Sequence, residues 1–137
     1  EGAIDPEKEE AIVDQRLLAG LVQVMLYEDN MSLMLEFYRD KLGFEVEVPA
    51  GLDDYSAETF VILDAGTVKL ALNSGGHGNI GEDAPMIVFG VTDIDTVRAT
   101  LVERGVALEE IFDAGAGIRA CQGRDPEGNP ISLEARP

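Results

Sequence analysis

Few side chains in this chain are placed to do chemistry, and the common reactions are excluded by what is missing around them. The single histidine, His77, stands in NSGGHGNIGED (73–83), a Gly- and Asn-rich stretch with no second base or ligand beside it. No Ser-His-Asp arrangement can be assembled around it, and a solvent-exposed spacer is the expected role. The same stretch lacks the Lys-Ser/Thr pair of a phosphate loop and opens no helix. The one cysteine, Cys121, cannot form an intramolecular disulfide and has no imidazole partner in its own strand, so it reads as a small packed residue. Two groups remain. Glu134 shares a strand face with Ser132 by the period of two, and Arg119 in GIRA is able to reach an anion or a facing Asp, or to stand on the surface. A carboxylate raised in pKa by apolar surroundings can act as a general base, which is the chemistry open to Glu134.

These residues must be positioned by the elements around Val22 to Val46, VQVMLYEDNMSLMLEFYRDKLGFEV. Val22 to Tyr27 reads as a strand and Asn30 as a helix cap. Met31, Met34, Leu35, Tyr38 and Leu42 then fall on one helical face. Gly43 stands where a left-handed stop is cheapest, and Phe44 to Val48 alternates as a half-buried strand does. The plan recurs. Met86 to Val91 is a second apolar strand, Asp93 a second cap, Ile94, Val97 and Leu101 a second helical face, and Gly105 a second stop. Gln23 lies twenty positions before Gly43 and Met86 nineteen before Gly105, so the chain carries an internal repeat.

Each half continues with strands. Thr59 to Leu63 and Thr67 to Leu72 flank the turn Asp64-Ala65-Gly66. In the second half Val106 to Phe112 is the expected returning strand and Ala114 to Gly117 a turn. Ile118 to Gln122 and Pro130 to Glu134 then flank RDPEGN, where proline and glycine satisfy both turn rules. The predicted fold class is α+β: two β-α-β-β-β modules plus an N-terminal helix, with helices near 30–42 and 93–104. Residues 1–20 form an acidic appendage, with a short helix from Pro6 to about Leu18 started by Asp5-Pro6. Residues 21–136 form the domain, divided into module 1 (21–73), a linker (74–84) and module 2 (85–136).

The charge narrows the function. With 27 Asp and Glu against 10 Lys and Arg, the net charge is −17 over 137 residues. Nucleic acid needs clustered basic residues, and anionic lipid is disfavoured for the same reason. No apolar run approaches a membrane span and no signal peptide is read within residues 1–20, so, a processed leader aside, a cytoplasmic location is expected. The acidity is expected either only to keep the protein soluble or also to steer a cationic ligand.

The two modules, the helix ending FYRDKLGFEV and the closing RDPEGNPISLE together resemble the glyoxalase/bleomycin-resistance/dioxygenase group, the vicinal oxygen chelate superfamily, over about Leu21 to Glu134. The resemblance implies curled mixed sheets around a cavity. It also implies one of several functions: metal-dependent isomerases, epimerases, ring-cleaving dioxygenases and thiol transferases, or metal-free proteins that sequester antibiotics. The family's metal-ligand positions match Gln23, the region of Lys69 and Ala71, Met86 and Ser132, none of which is His, Asp or Glu. A zinc or ferrous site needs three or more protein ligands at about 2.0–2.3 Å, so no metal and no cofactor are expected.

If Gln23 and Met86 point inward as the family's ligands do, so do Met25, Tyr27, Val88, Ala71, Asn73, Ser132 and Glu134, with Arg119 at another family position. That lining is apolar with a few polar handles, as small-molecule pockets are. Met25 and Val88, taken singly, are expected to pack as core. Glu134 must find a partner, with Arg119, Lys69 and Tyr27 as candidates, or carry a raised pKa. The expected function is a metal-free small-molecule binding protein of the glyoxalase/bleomycin-resistance type, a homodimer sequestering a cationic or amphipathic compound. The alternative is an enzyme of the same superfamily, of lyase, isomerase or dioxygenase type, with an unconventional or lost metal site. A partner-binding domain using the acidic N-terminal helix is a third reading.

Overall fold

The computed structural model describes residues 21–74 and 84–137. The expected N-terminal helix, His77 and nearly all of the linker lie outside the described residues. Each module is β-α-β-β-β. Module 1 holds β1 (Gln23–Tyr27), α1 (Met31–Leu35) running into a π-helical turn (Glu36–Lys41), β2 (Glu45–Val48), β3 (Phe60–Asp64) and β4 (Lys69–Asn73). Module 2 holds β5 (Ile87–Gly90), α2 (Ile94–Glu103), β6 (Phe112–Gly115), β7 (Ile118–Arg124) and β8 (Pro130–Ala135). The sheets have the equivalent orders β1-β4-β3-β2 and β5-β8-β7-β6, with one parallel pair each, and are not joined into a closed barrel.

The repeat extends to the caps. Asn30 Oδ1 accepts from the Leu33 amide at 3.1 Å and Asp93 Oδ1 from the Thr96 amide at 3.2 Å, each satisfying a first-turn N–H left open by the helix. Gly43 and Gly105 end the two helical segments at φ of 91° and 90°, a conformation that costs residues with a β-carbon. One face of each sheet packs on the helices. Leu26, Val61, Leu63, Leu70 and Leu72 from module 1 and Cys121, Ile131 and Leu133 from module 2 join Met34, Leu35, Tyr38, Ile94 and Leu101 in one core cluster. Cys121 is fully buried there, and burial pushes its thiol pKa up, as befits a packed residue.

Two expectations need correction. The first helix is not regular through Leu42: the Leu42 amide bonds the Phe37 carbonyl at 2.9 Å, an i→i+5 turn. The wider turn accommodates burial of the consecutive rings of Phe37 and Tyr38, which meet edge to face at 4.9 Å. The expected strand Val106 to Phe112 is mostly an extended connection. Val106 is tied to the Leu101 carbonyl and Leu108 makes a single bridge to Gly123, so ladder pairing begins only at Phe112 and runs to Gly115. No helix among the described residues is long and apolar enough to cross a membrane.

Candidate functional site

Strand alternation divides the expected site residues between the open faces of the two sheets, opposite the helices. On the first sheet, register pairs Met25 with Ala71 and Tyr27 with Asn73, with Gln23 beside Lys69. Asn73 Nδ2 reaches Met25 Sδ at 3.6 Å. On the second, Val88 pairs with Ser132 and Gly90 with Glu134, while Met86 lies one step before Ile87 and receives Gln122 Nε2 at 4.0 Å from its sulfur. The two halves correspond: Ala71 stands to Gln23 as Ser132 stands to Met86, each opposite the residue two further along the parallel neighbour. The structure thus groups Gln23, Met25, Tyr27, Ala71 and Asn73 on one sheet and Met86, Ser132 and Glu134 on the other.

Met25 and Val88 are not core, as expected of them singly, but are 37% and 47% exposed, and Met86 is 43% exposed. The reason is parity: the core claims Val24, Leu26, Ile87 and Phe89, and their neighbours must face the other way. Ala71 and Ser132 are nearly inaccessible even on this face, because each is small and flanked across the ladder by larger residues, Met25 and Ile62 in one case and Val88 and Gln122 in the other. A hollow of about 510 Å³ on the second sheet is bounded by Val88, Gly90, Glu134 and Arg136, with Val91 and Thr92 at its end.

Two site residues behave differently from expectation. Glu134 finds none of its three candidate partners. Its carboxylate takes Arg136 Nη2 at 2.8 Å, two residues along the same strand face. Arg119 leaves the group altogether. It lies on the helix-packed side of β7, in step with Cys121, and forms a bidentate pair with Asp95 of α2 at 2.7 and 3.1 Å. That hydrogen-bonded guanidinium holds the Asp95 carboxyl below its ordinary value.

The four positions matching the family's metal ligands offer an amide, a methyl group, a thioether and a hydroxyl. This donor set does not fit a divalent zinc or iron site. Among the described residues no group of three His, Cys, Asp or Glu side chains is placed to hold an ion.

The residues that sequence reasoning passed over are those that join the modules. Tyr38, wholly buried, donates its hydroxyl to Asp125 Oδ2 at 2.7 Å. Asp125 also accepts from the amides of Glu127 and Asn129 and from Asn129 Nδ2. The recognisable FYRDKLGF and DPEGN segments therefore bond to each other and tie the two modules together. Glu127 of the same loop accepts through Oε1 from the Asp29 and Asn30 amides at 2.8 and 3.0 Å, placing a carboxylate at the start of α1. Beside it, Glu28 is 1% exposed. One of its oxygens accepts from the Ser74 hydroxyl and the other, Oε2, has no hydrogen-bond partner among the described residues. Burial, with the Glu127 and Asp29 charges adding to it, raises the Glu28 pKa above 4.5.

A family model described as Glyoxalase/Bleomycin resistance protein/Dioxygenase superfamily matches residues 20–133. Among solved structures the chain is similar to a lactoylglutathione lyase from Agrobacterium tumefaciens, with TM-score 0.69 and 19% identity over 88% of this chain and 96% of that one. It is similar to TnmS3, an antibiotic binding protein from Streptomyces sp. CB03234, with TM-score 0.69 and 20% identity over 89% and 99%. It is also similar to a superfamily member from Sphaerobacter thermophilus DSM 20745, with TM-score 0.67 and 25% identity over 88% and 100%. Among curated proteins none matches.

Proposed function

The chain belongs to the glyoxalase/bleomycin resistance protein/dioxygenase superfamily, and from that premise we propose that it is a metal-free small-molecule binding protein that holds a cationic or amphipathic ligand on the open faces of its sheets. The observation that carries the reading is the donor set: Gln23, Ala71, Met86 and Ser132 occupy the family's ligand positions without its ligand chemistry. The open faces keep the features of a binding surface. Met25, Met86 and Val88 present adaptable and apolar area, and Asn73, Gln122 and Glu134 supply polar handles.

Glu134 is the residue assigned to the ligand's charge. Its present partner, Arg136, is 69% exposed in its side chain while Glu134 is 19% exposed, and a solvent-facing pair of this kind contributes about 0–1 kcal/mol. A cationic ligand seated over Val88 would displace that arginine at small cost. We further propose that two copies assemble as a homodimer that covers the open faces, which a single chain leaves with Met25, Phe60, Met86, Val88 and Phe112 each more than a third exposed.

Calorimetric titration with a planar cation such as proflavine, and with a neutral tricycle of the same shape, tests the reading on wild type and Glu134→Gln. The expected result is tighter binding of the cation by wild type, lost in the variant, with the neutral compound unaffected. Equal affinities in all four titrations would remove Glu134 from the site. Light scattering at micromolar concentration should give the mass of a dimer.

A further inference from the structure

On the helix side of the sheets, away from the open faces, the two modules meet around a cleft of about 350 Å³. Leu42 and Phe44 from module 1 and Phe89, Val97, Leu101 and Leu133 from module 2 line it, and the Phe44 and Phe89 rings lie 5.5 Å apart. The volume falls at the lower end of the roughly 300–1,000 Å³ of small-ligand pockets. One lining residue carries charge. Arg104, just beyond α2, lines the cleft and gives Nη1 to the Lys41 carbonyl at 2.8 Å, leaving its remaining N–H groups without a protein partner among the described residues. Lys41 Nζ stands beside Gly105, 3.6 Å from where a β-carbon there would lie.

Among the described residues Arg39, Lys69, Arg98, Arg119 and Arg136 each have a carboxylate within ion-pair distance, and Arg124 bonds the Gly128 carbonyl. Lys41 and Arg104 have none. In a chain with 27 acidic residues against 10 basic ones, Lys41 and Arg104 are joined by a hydrogen bond and left without a carboxylate partner among the described residues. Arg104 in the cleft lining, with Lys41 bonded to it through its carbonyl, matches a ligand with an apolar body and an anionic head.

We propose that this cleft binds a small amphipathic carboxylate, its apolar chain between Phe44, Phe89 and Leu101 and its head on Arg104 and Lys41. The guanidinium supplies a fork of donors suited to two carboxylate oxygens, and the Lys41 ammonium adds charge beside it. Thr100 lines the same cleft. This site is independent of the open faces, so it stands or falls apart from the function proposed above.

Titration of the full chain with octanoate, followed by amide and methyl chemical shifts, tests it. The expected shifts are at Leu42, Phe44, Phe89, Val97 and Leu101. Octan-1-ol, with the same body and no charge, should bind about tenfold more weakly or worse, as should Lys41→Gln/Arg104→Gln. Lys41→Gln alone keeps the bond from Arg104 to the residue 41 carbonyl and should weaken octanoate several-fold, separating loss of charge from loss of structure. The proposal is overturned if millimolar octanoate leaves the cleft signals in place, or if octanol matches octanoate. It is equally overturned if the shifts fall at Met25, Val88 and Glu134. Cleft signals that move with protein concentration in the absence of octanoate would assign the cleft to a second copy and reject the carboxylate.

Discussion

Replacing Tyr38 with Phe isolates one buried contact between the two modules. The ring is wholly buried and edge-packed on Phe37, so the substitution keeps its shape and removes one oxygen. That oxygen donates at 2.7 Å to a carboxylate that is itself 5% exposed. A hydrogen bond to a charged group contributes about 1.5–3 kcal/mol, and the lower half applies here because Asn129 Nδ2 still serves the same Asp125 oxygen. The expected loss is about 2 kcal/mol, or a fall in Tm of roughly 5–10 °C for a domain between the 100- and 150-residue classes. Burial first, and the Asp125 charge with it, raises the Tyr38 pKa far above its ordinary value, so the donor stays protonated and the loss should be constant between pH 6 and pH 9. Urea unfolding of wild type, Tyr38→Phe and the control Tyr27→Phe, on the open face, measures it. A Tyr38→Phe protein within about 0.5 kcal/mol of wild type would refute the view that the two motifs are a structural tie.

Three further outcomes follow from the same geometry. The folded-state pKa of Glu28 is raised, so its contribution to stability is fully present below the unfolded value near 4.5 and is lost as pH rises through the folded value. Glu28→Gln should therefore be more stable than wild type at pH 7, with the gain shrinking towards pH 4.5, and a difference independent of pH in thermal melts would contradict the assignment. Glu127→Ala removes a carboxylate from two helix-start amides and should cost about 1–2 kcal/mol, with Glu127→Gln retaining part of it; denaturant titration of both variants checks the order. Arg119→Met should leave binding of a cationic probe on the open faces unchanged, since the arginine is committed to Asp95 on the other side of the sheet, and any loss of affinity seen by calorimetry would return Arg119 to the site.

What the sequence made legible was local. Asn30 and Asp93 cap as their spacing to the apolar face requires, Gly43 and Gly105 stop their helices, and period-two alternation places each strand to within two residues, apart from β6. The misses come from three sources. The Tyr38–Asp125 bond joins residues 87 apart and the π turn lies where two consecutive rings are buried, and no local period records either. Arg119 was misplaced although the signal was available: it shares a strand face with Cys121, and a packed Cys121 sends Arg119 to the helix side. Glu134 likewise had a same-face neighbour in Arg136, nearer than any of the partners expected for it. Repetition explains why the candidate site was readable at all, because a position on the first module predicts its counterpart on the second, as Gln23 and Ala71 do for Met86 and Ser132.

On the proposed function, the family's ligand positions serve direct binding and hold no metal. Elemental analysis of protein expressed with added zinc, nickel, iron and manganese and purified without chelator addresses it most directly. The donor set of Gln23, Ala71, Met86 and Ser132 predicts far less than one divalent ion per chain, with no ion retained through gel filtration. One firmly held zinc, nickel, iron or manganese per chain, lost from a Gln23→Ala or Glu134→Gln variant, would contradict it and return the protein to the metal-dependent branch of its superfamily.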